Sequence, residues 1–412
     1  MNAGQTATRF WRSRLLIALF AAAQLAGCGG GGSGDTTAAA PAPSPVPAPS
    51  PAPAPSPAPA AALAANAVPI VVDRGVDGTS FNSPYASVTV CVPGTTTCQT
   101  IDHLLVDTGS YGLRLSASAL DPALALPAVA TAGGAPAGEC AHFVDGYAWG
   151  AVRRADVKLA SETASSIPVQ VVGDQGAVYA NVPAACANTG ANFGSSLGAN
   201  GILGVGLLAQ DCPSCVASKS AGVYFACTAN GCTSTAMALA SQVTNPVVAF
   251  AQDNNGVVMT LPPVPTGGST TLSGSLIFGV GTQPNNQVTT QTVYQTDSRG
   301  DIRTTYKGTT VTSFLDSGSN AVFFADPGIP QCSGFYCPPS PLVLSAVNTS
   351  ATGVSGNVSF TIESIQSIAS DVTAANVGAD AGIGQIFDWG LPFFFGRTVF
   401  VAIAGASTPN GP

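Results

Sequence analysis

The sequence predicts an all-β protein with a few short helices, and three observations carry that expectation. Apolar runs of about five to eight residues recur along the chain, divided by clusters of Gly, Pro, Ser and Thr, which is the punctuation of strands and turns. Long stretches with the 3.6-residue period of an amphipathic helix are scarce. The 412 residues are 46% hydrophobic and 8% charged, enough apolar material for one large β-rich unit or two similar lobes.

In chain order, Tyr85 to Val92 and Thr100 to Val106 read as the arms of a hairpin that turns through Pro93-Gly94-Thr95-Thr96-Thr97. The second arm runs directly into Asp107. Val152 to Leu159 and Ile167 to Val172 read as another pair of strands. Ser118 to Leu126 and Ser234 to Val243 are the segments expected to be helical.

Ahead of these strands the chain has a different character. Arg9, Arg12 and Arg14 precede an apolar run from Leu15 to Leu25, closed by Leu25-Ala26-Gly27-Cys28. That is the pattern of an export signal (residues 1–27) ending in a lipoprotein cleavage box, with Cys28 becoming the acylated, palmitate-bearing first residue. The run is shorter than the roughly 20 residues a spanning helix needs, which argues against a transmembrane anchor. Gly29 after the cysteine, in place of Asp, fits sorting to the outer membrane, facing the periplasm or the cell surface. Residues 28–65 are Gly-rich and then Ala-Pro-Ser-Pro-rich, as in Pro41-Ala42-Pro43-Ser44-Pro45. Such a stretch buries little and is expected to be an extended tether.

Two short motifs stand out within the folded part. Asp107-Thr108-Gly109-Ser110 follows the apolar run His103-Leu104-Leu105-Val106, and Asp316-Ser317-Gly318-Ser319 follows Val311-Thr312-Ser313-Phe314-Leu315. Each run delivers an aspartate to a turn and is followed by further apolar sequence. A glycine two residues after each aspartate lets two loops meet backbone to backbone, where a Cβ would hold them apart. One such tetrapeptide is weak evidence, since Asp-Ser-Gly commonly caps a turn; two copies with the same framing point to paired carboxylates.

This constellation resembles the two-lobed, pepsin-like aspartic peptidases, and the resemblance covers most of the chain after residue 80. Gly201-Ile202-Leu203-Gly204-Val205-Gly206 looks like the segment that crosses behind the first aspartate loop in that family. Phe393-Phe394-Phe395-Gly396, before Thr398-Val399-Phe400-Val401-Ala402-Ile403, looks like its counterpart in the second lobe. Ser275-Leu276-Ile277-Phe278-Gly279 resembles the strand that opens the second half. The chain also resembles a group of bacterial lipoproteins with the same double motif, for which the resemblance supplies no activity.

The resemblance implies a bilobal fold, with residues 66–270 as one lobe and 271–412 as the other. It implies a catalytic pair, Asp107 and Asp316, hydrolysing a peptide or protein substrate without a cofactor or metal. Thr108 and Ser317 would cross-bond the loops, Gly109 and Gly318 would permit the close approach, and Ser110 and Ser319 would bond the outer carboxylate oxygens. In the family a flap tyrosine closes over the substrate; here the corresponding hairpin falls at 143–150, with Phe143 and Tyr147 as the candidate flap residues. A tryptophan that commonly bonds this tyrosine is replaced by Arg114. The alternative function is a catalytically silent relative that binds peptide or polymer in the interlobe cleft.

Other chemistries have less support. His103 and His142 are the only histidines, and no G-x-S-x-G elbow accompanies them for a Ser-His-Asp triad. Without the signal segment, ten Lys+Arg face 21 Asp+Glu, a formal charge near −11, so no basic surface is available for nucleic acid. The expected partners are therefore substrate and, through Cys28, a lipid bilayer, with the protein a monomer. Once Cys28 is set aside, ten cysteines remain. In an exported protein they read as disulfides: Cys91 with Cys98, Cys332 with Cys337, and Cys140 with Cys186. Cys212, Cys215, Cys227 and Cys232 read as two further bridges of undetermined connectivity, a zinc site or a redox-active Cys-x-x-Cys being the alternatives.

Overall fold

The structure is a computed structural model that describes residues 63–411, apart from 145, 175, 194–196, 220–221, 290–291, 381 and 383–385. The chain divides into two units after Ala62. The expected signal segment, Cys28 and nearly all of the tether lie outside the described residues.

From Leu63 onward the chain is all-β, with one four-residue α-helix at Ala184–Ala187 and short 3₁₀ turns among the described residues. The strands used below are β1 (Ala67–Asp73), β2 (Ser83–Cys91), β3 (Cys98–Asp107), β4 (Tyr111–Ser116), β5 (Ala137–His142), β6 (Gly146–Leu159), β7 (Glu162–Val172) and β8 (Gly201–Val205). They continue with β9 (Gly256–Leu261), β10 (Leu272–Phe278), β11 (Ile302–Tyr306), β12 (Thr309–Leu315), β13 (Val322–Phe323), β14 (Leu342–Thr349), β15 (Ser355–Ile362), β16 (Ile386–Trp389) and β17 (Arg397–Ala402).

Two large sheets result. A 14-stranded sheet contains the run β5-β6-β7-β4-β8-β3-β2-β1-β10-β9-β17, and β6 also pairs with β2. A seven-stranded sheet contains β15-β14-β11-β12-β16-β13. The first encloses a continuous core that includes Ile70, Val90, Leu104, Val106, Leu113, Leu203, Met259, Leu276 and Phe394. The second encloses an aromatic core of Tyr306, Phe324, Tyr336, Phe387 and Trp389. At about 1.5–3 kcal/mol per fully buried large side chain, these two cores are the main cohesive terms of the lobes. The division expected at 270–271 falls between β9 and β10, which pair with each other, and β17 joins the same sheet from the far end of the chain.

The hairpin expected at 85–106 is β2 and β3, paired antiparallel with a register shift between Ala86 and Val88. His103, on the facing strand, takes a left-handed φ of 50°, as a bulge requires. The pair expected at 152–172 is β6 and β7.

The two segments expected as helices form only 3₁₀ turns, at Ala117–Ala119 and Leu239–Ser241. Pro122 and Pro127 interrupt the first by removing N–H donors and restricting the residues before them. In the second, tertiary partners take the backbone groups: Thr235 N–H donates to the Tyr224 carbonyl and Met237 N–H to that of Cys215.

Five disulfides are present, Cys91–Cys98, Cys140–Cys186, Cys212–Cys215, Cys227–Cys232 and Cys332–Cys337. The four-cysteine cluster is thus two local bridges.

Candidate active site

Asp107 ends β3 and Asp316 follows β12, so each is delivered by a strand to the start of a tight loop. Behind β3 runs β8, parallel to it, with Asp107 opposite Gly204. Behind β12 runs β16, also parallel, with Leu315 opposite Trp389. The sequence expectation for this second crossing strand is corrected here: it is Ile386–Trp389, ending at Gly390, and not the segment at Phe393. Leu391–Phe393 forms a 3₁₀ turn, and Phe394 and Phe395 pack into the core of the larger sheet. An aromatic run of that kind satisfies burial without being a strand.

The two loops interlock through reciprocal bonds. Thr108 N–H donates to Ser317 Oγ at 3.1 Å, and Ser317 N–H donates to Thr108 Oγ1 at 3.0 Å. Each hydroxyl passes its own hydrogen onward, Thr108 to the Leu315 carbonyl at 2.9 Å and Ser317 to the Val106 carbonyl at 2.7 Å. Four bonds across about 210 residues of sequence separation, each contributing about 1 kcal/mol net, hold the loops face to face.

The glycines sit where the loops are closest. A Cβ on Gly318 would stand 2.8 Å from the Asp107 Cγ, and Gly109 approaches Asp316 in the same way. No side chain fits at either position without displacing a carboxyl.

Both carboxyls are oriented by their own loops. Gly109 N–H donates to Asp107 Oδ1 at 2.8 Å, and Ser110 Oγ donates to Asp107 Oδ2. Gly318 N–H and Ser319 N–H donate to Asp316 Oδ1 at 2.8 and 3.2 Å, and Ser319 Oγ donates to Asp316 Oδ2 at 2.9 Å. The two carboxyls meet at this junction: a Cβ on Gly318 would lie 2.8 Å from Asp107 Oδ1 and 3.2 Å from Asp316 Oδ1. Desolvation, then the Asp107 charge and Asp388, push the Asp316 carboxyl well above the ordinary range. Two carboxyls held this close favour sharing one proton, because two adjacent anions repel.

Past the first motif, the first lobe supplies an unexpected ion cluster. Arg114, buried on β4, places Nη2 2.8 Å from Glu139 Oε1 on β5 and 3.2 Å from Asp211 Oδ2. Tyr224 donates to Asp211 Oδ1 at 2.6 Å and accepts from Val243 N–H at 2.7 Å. Burial and then Asp211 push Glu139 well above the usual carboxylate range, while burial of the Arg114 guanidinium is outweighed by Glu139 and Asp211, which raise its pKa. The β5–β6 hairpin is therefore pinned to β4 by the buried Arg114–Glu139 hydrogen bond.

The candidate flap residues sit on opposite faces of that hairpin. Tyr147 is buried with Cys140, Trp149, Tyr179, Cys186 and Phe225. Phe143 lies against Ala141, Ala148 and Val172, with the Arg114 guanidinium 5.8 Å from its ring centre. A different phenol lies beside the first motif. Tyr111, one residue past the first motif, is raised in pKa by desolvation and then by the charges of Asp301, Asp107 and Asp316.

A family model described as a protein of unknown function, DUF3443, matches residues 62–412. The chain belongs to this family. No curated protein matches this DUF3443 chain. Among solved structures it is similar to the crystal structure of aspartic proteinase from Irpex lacteus, with 16% sequence identity and a TM-score of 0.45. That match covers 82% of this chain and 97% of the other.

Sequence reasoning missed three side chains of the DUF3443 site. Tyr111 follows the motif immediately and was readable only as apolar framing. Glu139 gives no sign of its contact with Arg114, 25 residues away. Asp388 interrupts the apolar pattern of β16; a short strand followed directly by glycine, as β8 is by Gly206 and β16 by Gly390, was the signal that could have found it.

Proposed function

We propose that this chain is a lipid-anchored protein of the cell envelope whose folded part is an aspartic-type endopeptidase. The observation that carries the reading is the close reciprocal approach of the two loops, which sets Gly109 against the Asp316 carboxyl and Gly318 against that of Asp107. In such a pair the ionised carboxyl takes a proton from a water held between them, and the protonated one bonds the substrate carbonyl. The water attacks, the proton passes to the leaving amine, and no covalent intermediate forms. Ser110 and Ser319 orient the carboxyls, and the Thr108–Ser317 interlock keeps their separation constant through the cycle. Cys28 supplies the anchor, and the Pro-rich stretch extends the domain from the bilayer.

The test is direct. The purified domain beginning at Leu63 is incubated with a denatured protein across a pH series. Cleavage is expected, and Asp107→Asn and Asp316→Asn are each expected to abolish it while the fold is kept. Activity surviving either change would assign the chemistry elsewhere.

One observation favours a second reading, a silent relative that binds peptide in the cleft. The β5–β6 hairpin is tied down by Arg114 and Glu139 and offers its phenol to the core. A folded domain that retains a peptide but cleaves nothing at any pH establishes that reading.

A further inference from the structure

The smaller sheet leaves one strand edge open, and a cavity lies along it. β15 ends the order of that sheet and, among the described residues, pairs only with β14. Alternate residues along it therefore turn their N–H and C=O groups away from the sheet. Proteins commonly blunt such an edge with Lys, Pro or a bulge. Here β14 and β15 pair without a register shift, and residues 342–362 contain no charged residue and no proline, in a chain of net charge −8. The edge is closed only past its end, where Glu363 N–H donates to the Asn376 carbonyl at 2.8 Å.

The cavity, about 220 Å³, is lined by Val358, Ser359, Phe360 and Thr361, four consecutive residues of β15. Successive side chains point to opposite faces of a sheet, so a consecutive run reaches one cavity where the strand meets it edge-on. Phe393 and Arg397, the first residue of β17, line the same cavity. The Arg397 guanidinium stands 4.6 Å from the Phe393 ring centre and donates from Nη1 to the Phe393 carbonyl. Among the described residues that is its one side-chain hydrogen bond, and no carboxylate pairs with it. Burial lowers its pKa, as expected of a cation that has lost water and gained no anion. A guanidinium offers five donors in a planar fork, and a carboxylate fits that fork bidentately.

We propose that this groove binds the C-terminus of an extended polypeptide: the backbone adds to β15 as a further strand, the terminal carboxylate pairs with Arg397, and the apolar last side chain fills the cavity against Phe393. The open edge calls for peptide N–H and C=O groups and the unpaired guanidinium for an anion; a chain terminus brings both together. An uncharged strand sets no repulsion against the incoming chain. The groove does not use the aspartate pair, so the inference stands apart from the endopeptidase reading.

The experiment uses the purified domain from Leu63 onward, a compact unit by itself, carrying Asp107→Asn so that the probe stays intact. The probe is a fluorescein-labelled peptide as long as β15, alternating valine and threonine, with a last phenylalanine and a free carboxylate. Fluorescence anisotropy is expected to show saturable binding, weakened about tenfold or more when the terminus is amidated, the loss of one charge-assisted contact. Arg397→Gln is expected to weaken the acid peptide by the same factor and to bind acid and amide alike. N-methylation of one alternate set of peptide amides is expected to abolish binding, and methylation of the other set to be tolerated, as strand addition requires. Absence of saturable binding overturns the proposal, as do equal affinities for acid and amide or indifference to both methylation sets. An acid preference that survives Arg397→Gln also overturns it, since a peptide held between the lobes would ignore Arg397. Displacement of the peptide by hexanoate at equal concentration overturns strand addition. A domain that dimerises and takes up no peptide gives the edge to a second copy instead and overturns it too. The acid–amide comparison needs no change at Arg397, so a misfolded Arg397→Gln leaves the test intact.

Discussion

Gly109 and Asp316 belong to loops more than 200 residues apart, yet a Cβ added to the glycine would lie 2.6 Å from the Asp316 Cγ. Gly109→Ala must therefore push the Asp316 carboxyl away from Asp107 or separate the loops. The expected cost is about 1–3 kcal/mol of stability, with cleavage falling at least about a hundredfold. Denaturant melts alongside the peptide assay check both. An alanine variant with full activity would show that the aspartates tolerate separation.

The Thr108–Ser317 interlock predicts coupling rather than simple loss. Thr108→Val leaves the Ser317 N–H and the Leu315 carbonyl without their partner, at about 1–3 kcal/mol. Ser317→Ala does the same to the Thr108 N–H and the Val106 carbonyl. Because both changes break one network, the double variant is expected to be less destabilised than the sum of the singles by about 0.5–3 kcal/mol. A double-mutant cycle in urea measures the difference.

Asp388 gives the stability a defined pH dependence. Its folded pKa, about 8, lies above the ordinary aspartate value, so between about pH 4 and 8 the native state holds a proton that the unfolded state has released. Its contribution is complete below that window and is lost as pH rises through it. The loss from this one group is on the order of 5 kcal/mol, and Asp316, raised in the same direction, adds to it. Asp388→Asn is expected to flatten the fall, read from urea midpoints against pH.

Arg114 is the least replaceable cation. Arg114→Met leaves Glu139 and Asp211 buried without their counter-ion, an expected loss of about 3–5 kcal/mol. Adding Glu139→Gln to Arg114→Met is expected to recover part of it. Thermal denaturation of the three variants compares them.

How much of this was legible depends on how local each feature is. The β2–β3 hairpin was readable because alternation, turn residues and a cysteine at each arm all fall within 25 residues. The two aspartate motifs were readable because each is a tetrapeptide with an apolar strand before it. The partner of β12 was not, since the strand pairing that identifies β16 joins segments some 70 residues apart and Asp388 breaks its hydrophobic run. Arg114 stood out as a departure, but its partners are set by sheet geometry that sequence spacing does not encode. The expected helices failed because helical preference is weak beside prolines and beside neighbouring strands that claim the same N–H groups.

The pairing of β10 with both β1 and β9, and of β9 with β17, has a temporal meaning. Residue 67 is stitched into a sheet whose last member ends at Ala402, so a nascent chain holds an open edge until Ala402 is available. Any fragment stopped short of the second motif presents a solitary acid and a frayed sheet. The paired acids can therefore meet only once the chain has been made through Ala402.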